Sequence, residues 1–215
     1  LTPTLGTPEP TPDGFTVPIT NYNGQYQWSG TATANGTVTV ADGTGIATIS
    51  GVAPNTASVA TITASRFAYT DQSSTVSSTS LMAALVPGLG TPVRTPDGFT
   101  AVINNYNGVD YAWAATALPG PGTASIEADG PGHRLVVTGL DPNVEATVTV
   151  STTRTGYAPG STQITDSSLR SALTPTFDPA VPTADGFTAL ITNYDDQYEW
   201  AATLPDGAPG AAAIV

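Results

Sequence analysis

The single histidine, His133, is the first residue to weigh for chemistry. A catalytic or metal-binding imidazole needs partners, and the chain has no cysteine and no second histidine to supply them. His133 follows Gly-Pro-Gly and reads as part of a solvent-exposed turn. Serines and threonines are plentiful, but a hydroxyl becomes a nucleophile only beside a general base. They read instead as water-facing strand positions, where threonine is favoured. Among the carboxylates, Asp13, Asp97 and Asp185 each precede a glycine, and Asp195, Asp196 and Glu199 cluster. Calcium takes roughly six to eight oxygens, and no EF-hand or nonapeptide spacing gathers them here. Repeated Asp-Gly is more simply turn chemistry. No catalytic residue, cofactor or metal site is therefore expected, with a bound Ca2+ the alternative.

Three other patterns could carry binding. Tyr22, Tyr106 and Tyr194 follow asparagine at a strand end, and Tyr69 and Tyr157 fall in a loop, so a glycan could stack on them. The plainer reading packs each ring beneath its own loop with one wet end. Thr37-x-Thr39 and Thr61-x-Thr63 are too few for an ice-binding face, which needs a long flat array rather than twisted sheets. Asn35-Gly-Thr37 fits the acceptor pattern for Asn-linked glycosylation, a short pattern that also arises by chance.

The elements that would position these residues are set by an internal repeat. DGFTVPITNYNGQYQW (13–28) returns as DGFTAVINNYNGVDYAW (97–113) and DGFTALITNYDDQYEW (185–200). Its phenylalanines lie 84 residues apart (15 to 99) and then 88 (99 to 187), a period of domain size rather than of a solenoid unit. Leu1 aligns with Leu85 and Leu173, giving repeats 1–84, 85–172 and 173–215. The third copy stops mid-strand, and the chain starts at a repeat boundary without an initiator methionine, as expected of a window from a longer array. Such a half domain is expected to be frayed unless its own chain or a neighbour's strand completes it.

Alternation of period two supplies the fold class. Phe15, Val17 and Ile19 share a face, as do Phe99, Ala101 and Ile103, and Phe187, Ala189 and Ile191. Asn23–Gly24 carries the type I′ turn signal, and Tyr26-x-Trp28, Tyr111-x-Trp113 and Tyr198-x-Trp200 then put two aromatics on one face of the next strand. The expected structural core is therefore Phe15, Ile19, Tyr26 and Trp28 in the first repeat. Its equivalents are Phe99, Ile103, Tyr111 and Trp113, then Phe187, Ile191, Tyr198 and Trp200. The Pro-rich start of each repeat reads as an irregular edge strand. About seven short strands per repeat, with no helical periodicity, predict an all-β array of tandem β-sandwiches. Pro18, Val102 and Leu190 fall on the outward face, as scattered surface residues or a lateral contact site.

Composition narrows the partners. The formal net charge is −12 and all five basic residues are arginine, a poor match for nucleic acid or an anionic membrane. No apolar run is long enough to insert in a membrane. The absence of cysteine and lysine excludes both disulfide staples and Lys–Asn isopeptide cross-links.

The stretch ATISGVAPNTASVATITA (47–64) resembles the E–F region of fibronectin type III domains, in the run Val52, Pro54, Thr56 and its counterpart Leu140, Pro142, Val144. Ser58 and Ala146 stand where that family has tyrosine. The DGFTxxIxNY…YxW element, in tandem copies, and the TRxGY element, with SRFAY as its counterpart in the first repeat, resemble the immunoglobulin-like or fibronectin type III-like repeats of large bacterial surface and secreted proteins. That resemblance implies an extracellular, cell-surface location and a structural role: spacer, stalk or fibre. Its alternatives are a self-assembling filament subunit and an adhesin or glycan-binding module. The implied partners are neighbouring repeats of the same protein, further copies in a fibre, or a glycan or protein ligand. The linker 81–89 (LMAALVPGL) has no Gly/Ser tract, so it should be stiff, and each repeat should add about 30 Å of rod.

Overall fold

The computed structural model describes residues 1–118, 120 and 122–215. The protein is all-β, and no helix occurs among the described residues. It divides into two compact units, Leu1–Arg170 and Ser171–Val215.

The first unit holds two separate cores. Around the first lie β1 (Glu9–Thr11), β2 (Gly14–Pro18), β3 (Gln27–Ala32), β4 (Thr37–Ala41), β5 (Ile46–Ser50), β6 (Ala57–Ser65) and β7 (Gln72–Thr79). They form two antiparallel sheets ordered β1-β2-β5-β4 and β3-β6-β7. The alternation in sequence explains the packing: β2 pairs Phe15 with Ile49 and Val17 with Ala47, and these side chains face Ala60 and Ile62 from the other sheet. Thr16 and Pro18 point away. The fold is sandwich-like because each sheet has one apolar face to cover.

Residues 85–170 repeat the pattern with β8 (Val93–Thr95), β9 (Gly98–Ile103), β10 (Ala112–Ala117), β11 (Thr123–Asp129), β12 (Gly132–Thr138), β13 (Glu145–Thr153) and β14 (Gly160–Ser167). The sheets are β11-β12-β9-β8 and β10-β13-β14, and Phe99, Leu135, Val137, Val148 and Val150 are buried between them. β1, which contains Pro10, and β8, flanked by Pro92 and Pro96, lie at sheet edges, where a missing N–H costs least.

Two turns behave as their residues dictate. In the Asp-Gly pair that opens β2 and β9, a Cβ on Gly14 or Gly98 would sit well inside van der Waals contact with the carbonyl of Ile49 or Val137. The backbones therefore approach as only glycine permits. Asn23–Gly24 differs from expectation. Neither residue has positive φ, and the segment joins β2 to β3 across the two sheets instead of closing a hairpin. Its side chain builds the turn: Asn23 Oδ1 accepts from the Gln25 N–H at 2.9 Å, and the Asn23 carbonyl from the Tyr26 N–H at 3.1 Å. Asp-Gly pairs close hairpins instead, between β1 and β2, β4 and β5, β8 and β9, and β11 and β12.

The second unit is sparse. It contains β15 (Val181–Pro182) paired with β16 (Phe187–Thr188), and an isolated bridge from Phe177 to Ile191. Residues 199–204, aligned with β10, form no strand. The strand that β10 pairs with, β13, has no counterpart within 171–215. Of the four core residues expected here, Phe187 is 69% exposed and Tyr198 is also exposed, while Ile191 and Trp200 are half-buried. A face reaches full burial only where an opposing sheet covers it.

Candidate functional site: the clamped junction

Candidates for chemistry do not converge. His133 is not in a turn: it lies in β12, half-buried, with its ring stacked on Tyr106 at 3.6 Å between centroids. Among the described residues, no group of three or more histidine or acidic side chains comes together. The Asp-Gly aspartates serve their own turns. Asp13, Asp97 and Asp185 accept from Thr11, Thr95 and Thr183 at 3.2–3.3 Å. The carbonyls of Asp13 and Asp97 accept from the Val52 and Leu140 N–H groups. Asn35 is exposed, with φ of 59°.

The expected aromatics divide into two roles. Trp28 and Trp113 pack on their cores while only half-buried. Each indole N–H keeps a partner at the rim, the carbonyl of Asn23 (3.1 Å) or Asn107 (3.0 Å), and Trp200 repeats this with Asp195 at 2.8 Å. Tyr22 and Tyr194 stack on their indoles and Tyr106 packs tilted on its own, with centroids 5.5, 5.3 and 4.9 Å apart. Tyr26 and Tyr111, expected in the core, do not join it. They precede β3 and β10 by one residue, so the strand pleat does not fix their direction. They gather instead around an arginine at the surface. Arg66 lies 5.6 Å from the Tyr26 ring and 5.2 Å from that of Tyr69, and Arg154 lies 5.3 Å from Tyr111 and 4.5 Å from Tyr157.

The most elaborate polar arrangement lies where one repeat hands over to the next. Leu81 closes the first core: its N–H donates to the Thr11 carbonyl at 2.9 Å, and its carbonyl accepts from Asn55 at 3.0 Å. One residue later the chain belongs to the second repeat. The Met82 N–H donates to the Gly156 carbonyl at 2.9 Å, and the Met82 carbonyl accepts from the Ala158 N–H at 2.8 Å. Thr152 donates to the Leu85 carbonyl, and Thr162 to the Pro87 carbonyl at 2.7 Å. Asn105 then grips the backbone with both ends of its amide, donating to the Val86 carbonyl at 2.8 Å and accepting from the Gly88 N–H at 2.7 Å. Of residues 82–88, only Ala83 and Ala84 lack such a bond among the described residues.

The clamp is built into every copy. Asn21 donates to the Thr2 carbonyl and accepts from the Thr4 N–H, both at 2.8 Å. Asn193 does the same to Thr174 and Thr176 at 2.8 and 2.9 Å. Ser74 matches Thr162, donating to the Pro3 carbonyl at 2.6 Å. An asparagine amide carries one donor side and one acceptor side, so it can pair with an extended chain as a neighbouring peptide group would. Sequence reasoning missed these asparagines, although their identical place before Tyr22, Tyr106 and Tyr194 was a usable signal. It also missed Ser80 and Ser168, buried hydroxyls that tie the last strand to the carbonyls of Ala53 (2.6 Å) and Asp141 (2.5 Å). What this arrangement can do is mechanical: it fixes the path of the linker. The chain matches no known family model, and no curated protein sequence matches it.

Proposed function

We propose that this chain is a load-bearing spacer: tandem immunoglobulin-like or fibronectin type III-like sandwiches forming part of a stalk or fibre of an extracellular bacterial surface protein, without catalysis. The observation that carries this reading is the clamped linker. A peptide held by Asn105, Thr162 and the Gly156–Ala158 backbone cannot swivel freely between two cores, whereas a tether for mobile binding modules would be Gly/Ser-rich and unpaired. The strand orders β1-β2-β5-β4 with β3-β6-β7 support the immunoglobulin-like assignment, since constant-type domains have that arrangement. A surface charge of −12 without lysine favours mutual repulsion of neighbouring rods.

Electron microscopy of arrays with increasing numbers of repeats tests this. Isolated, unbranched rods that lengthen in proportion to repeat number are expected. Flexible strings of beads would contradict the spacer role, and uniform filaments many times longer than the chain would replace it with self-assembly.

A further inference from the structure

The junction seen at repeat two has an unoccupied twin on repeat one. The loop Arg154–Ala158 carries the Gly156 carbonyl and the Ala158 N–H that receive Met82. Its counterpart is Arg66–Thr70, and the two loops have the same internal form. Tyr69 and Tyr157 donate from their N–H groups to the Arg66 and Arg154 carbonyls at 3.0 and 3.1 Å. Gly156 has φ of 80°, and Ala68 stands at the same place with φ of 66°. Alanine seldom adopts that left-handed conformation, so the first loop holds the shape of the second at a conformational cost, without its partner. Both loops are also braced by the arginine between two tyrosines.

The difference is in what covers them. Tyr157 is half-buried and forms a parallel bridge with Met82. Tyr69 is 59% exposed, its neighbour Phe67 is 97% exposed, and the Thr70 N–H has no protein partner among the described residues. Leu1 aligns with Leu85, and the backbone after it is already seated by Asn21 and Ser74 as Val86–Gly88 is by Asn105 and Thr162.

We propose that the Ala68–Thr70 edge is a docking site for an extended linker segment of the Leu81–Ala84 kind, contributed by another repeat and running into Leu1. The site recognises backbone: one residue, in the place of Met82, offers its N–H to the Ala68 carbonyl and takes the Thr70 N–H on its own carbonyl. Small or apolar residues flank it, as in Leu-Met-Ala-Ala. The proposal deepens the spacer reading and rests on it, since it makes both ends of a sandwich parts of one repeated joint.

The test places the sequence of Leu81–Ala84 directly ahead of Leu1 in the full chain and follows amide hydrogen exchange. The Thr70 amide should exchange at least about tenfold more slowly than in the unextended chain, approaching the Ala158 amide, which has its partner in both. A version with proline in place of the added methionine lacks the donor and should return Thr70 toward its original rate. Equal Thr70 rates with and without the extension would overturn the proposal, as would equal protection by the proline version. An unprotected Ala158 amide would overturn it too, because the geometry it copies would be absent. Rigid rods in the microscope together with an unchanged Thr70 would sink the docking edge and leave the spacer; a protected Thr70 in flexible strings would do the reverse.

Discussion

Asn105 Oδ1 accepts a hydrogen bond from the Gly88 N–H at 2.7 Å, so a side chain from the loop after β9 holds backbone that precedes β8. With its amide nitrogen on the Val86 carbonyl, the residue replaces a strand neighbour that the linker does not have. Truncation should therefore be felt at the joint more than in the core. Asn105→Ala is expected to lower the stability of the second sandwich by about 1 kcal/mol, the net worth of hydrogen bonds whose freed backbone groups water can reach. Asn105→Asp keeps the acceptor but sets a carboxylate against the Val86 carbonyl, and should recover no more than half of that. Urea unfolding of both variants measures it.

The same phenylalanine should matter very differently in two copies of one motif. Phe99 is fully buried between sheets, whereas Phe187 is 69% exposed. Phe99→Ala should cost about 3–5 kcal/mol. Phe187→Ala should stay within roughly 0.5 kcal/mol in this chain, as at an ordinary surface site. Thermal unfolding followed by near-ultraviolet dichroism separates them.

That contrast shows what sequence can convey. Alternation around Phe15, Val17 and Ile19 specifies a strand and its inward face, and β2 forms there. It does not by itself specify whether a second sheet covers that face; for Phe187, which is exposed, that expectation came from the incompleteness of the third repeat. Tyr26 and Tyr111 misled for a related reason: period-two spacing to tryptophan means a shared face only if both residues lie inside the strand, and here the strands start one residue later. The repeated place of Asn21, Asn105 and Asn193 before tyrosine marked these residues, but not what they hold. The partners of Asn105, Val86 and Gly88, lie 19 and 17 residues away, a separation that no local pattern reports.

Gly98 tests the close approach of strands. Gly98→Ala would drive a methyl group into the Val137 carbonyl, in backbone with no side chain free to yield. A loss of about 3 kcal/mol is expected, read as a drop in the urea midpoint. Full tolerance would mean that β9 and β12 are spaced more widely than described.

Metal removal should do nothing. The acidic side chains do not assemble a site among the described residues, and the Asp-Gly aspartates are used by neighbouring threonines. Melting curves with a chelator and with millimolar calcium should coincide. A midpoint that rises with calcium would reveal a site in this acidic surface.

The central claim is that the joint between the first two sandwiches is held rather than hinged. The chain has no native cysteine, so Thr39→Cys and Thr116→Cys, at exposed positions of β4 and β10, can carry spin labels for a pulsed dipolar distance measurement. A single narrow distance distribution, broadened when Asn105→Ala is added, is the predicted result. A broad distribution in the otherwise unaltered chain, unchanged by Asn105→Ala, would contradict the account.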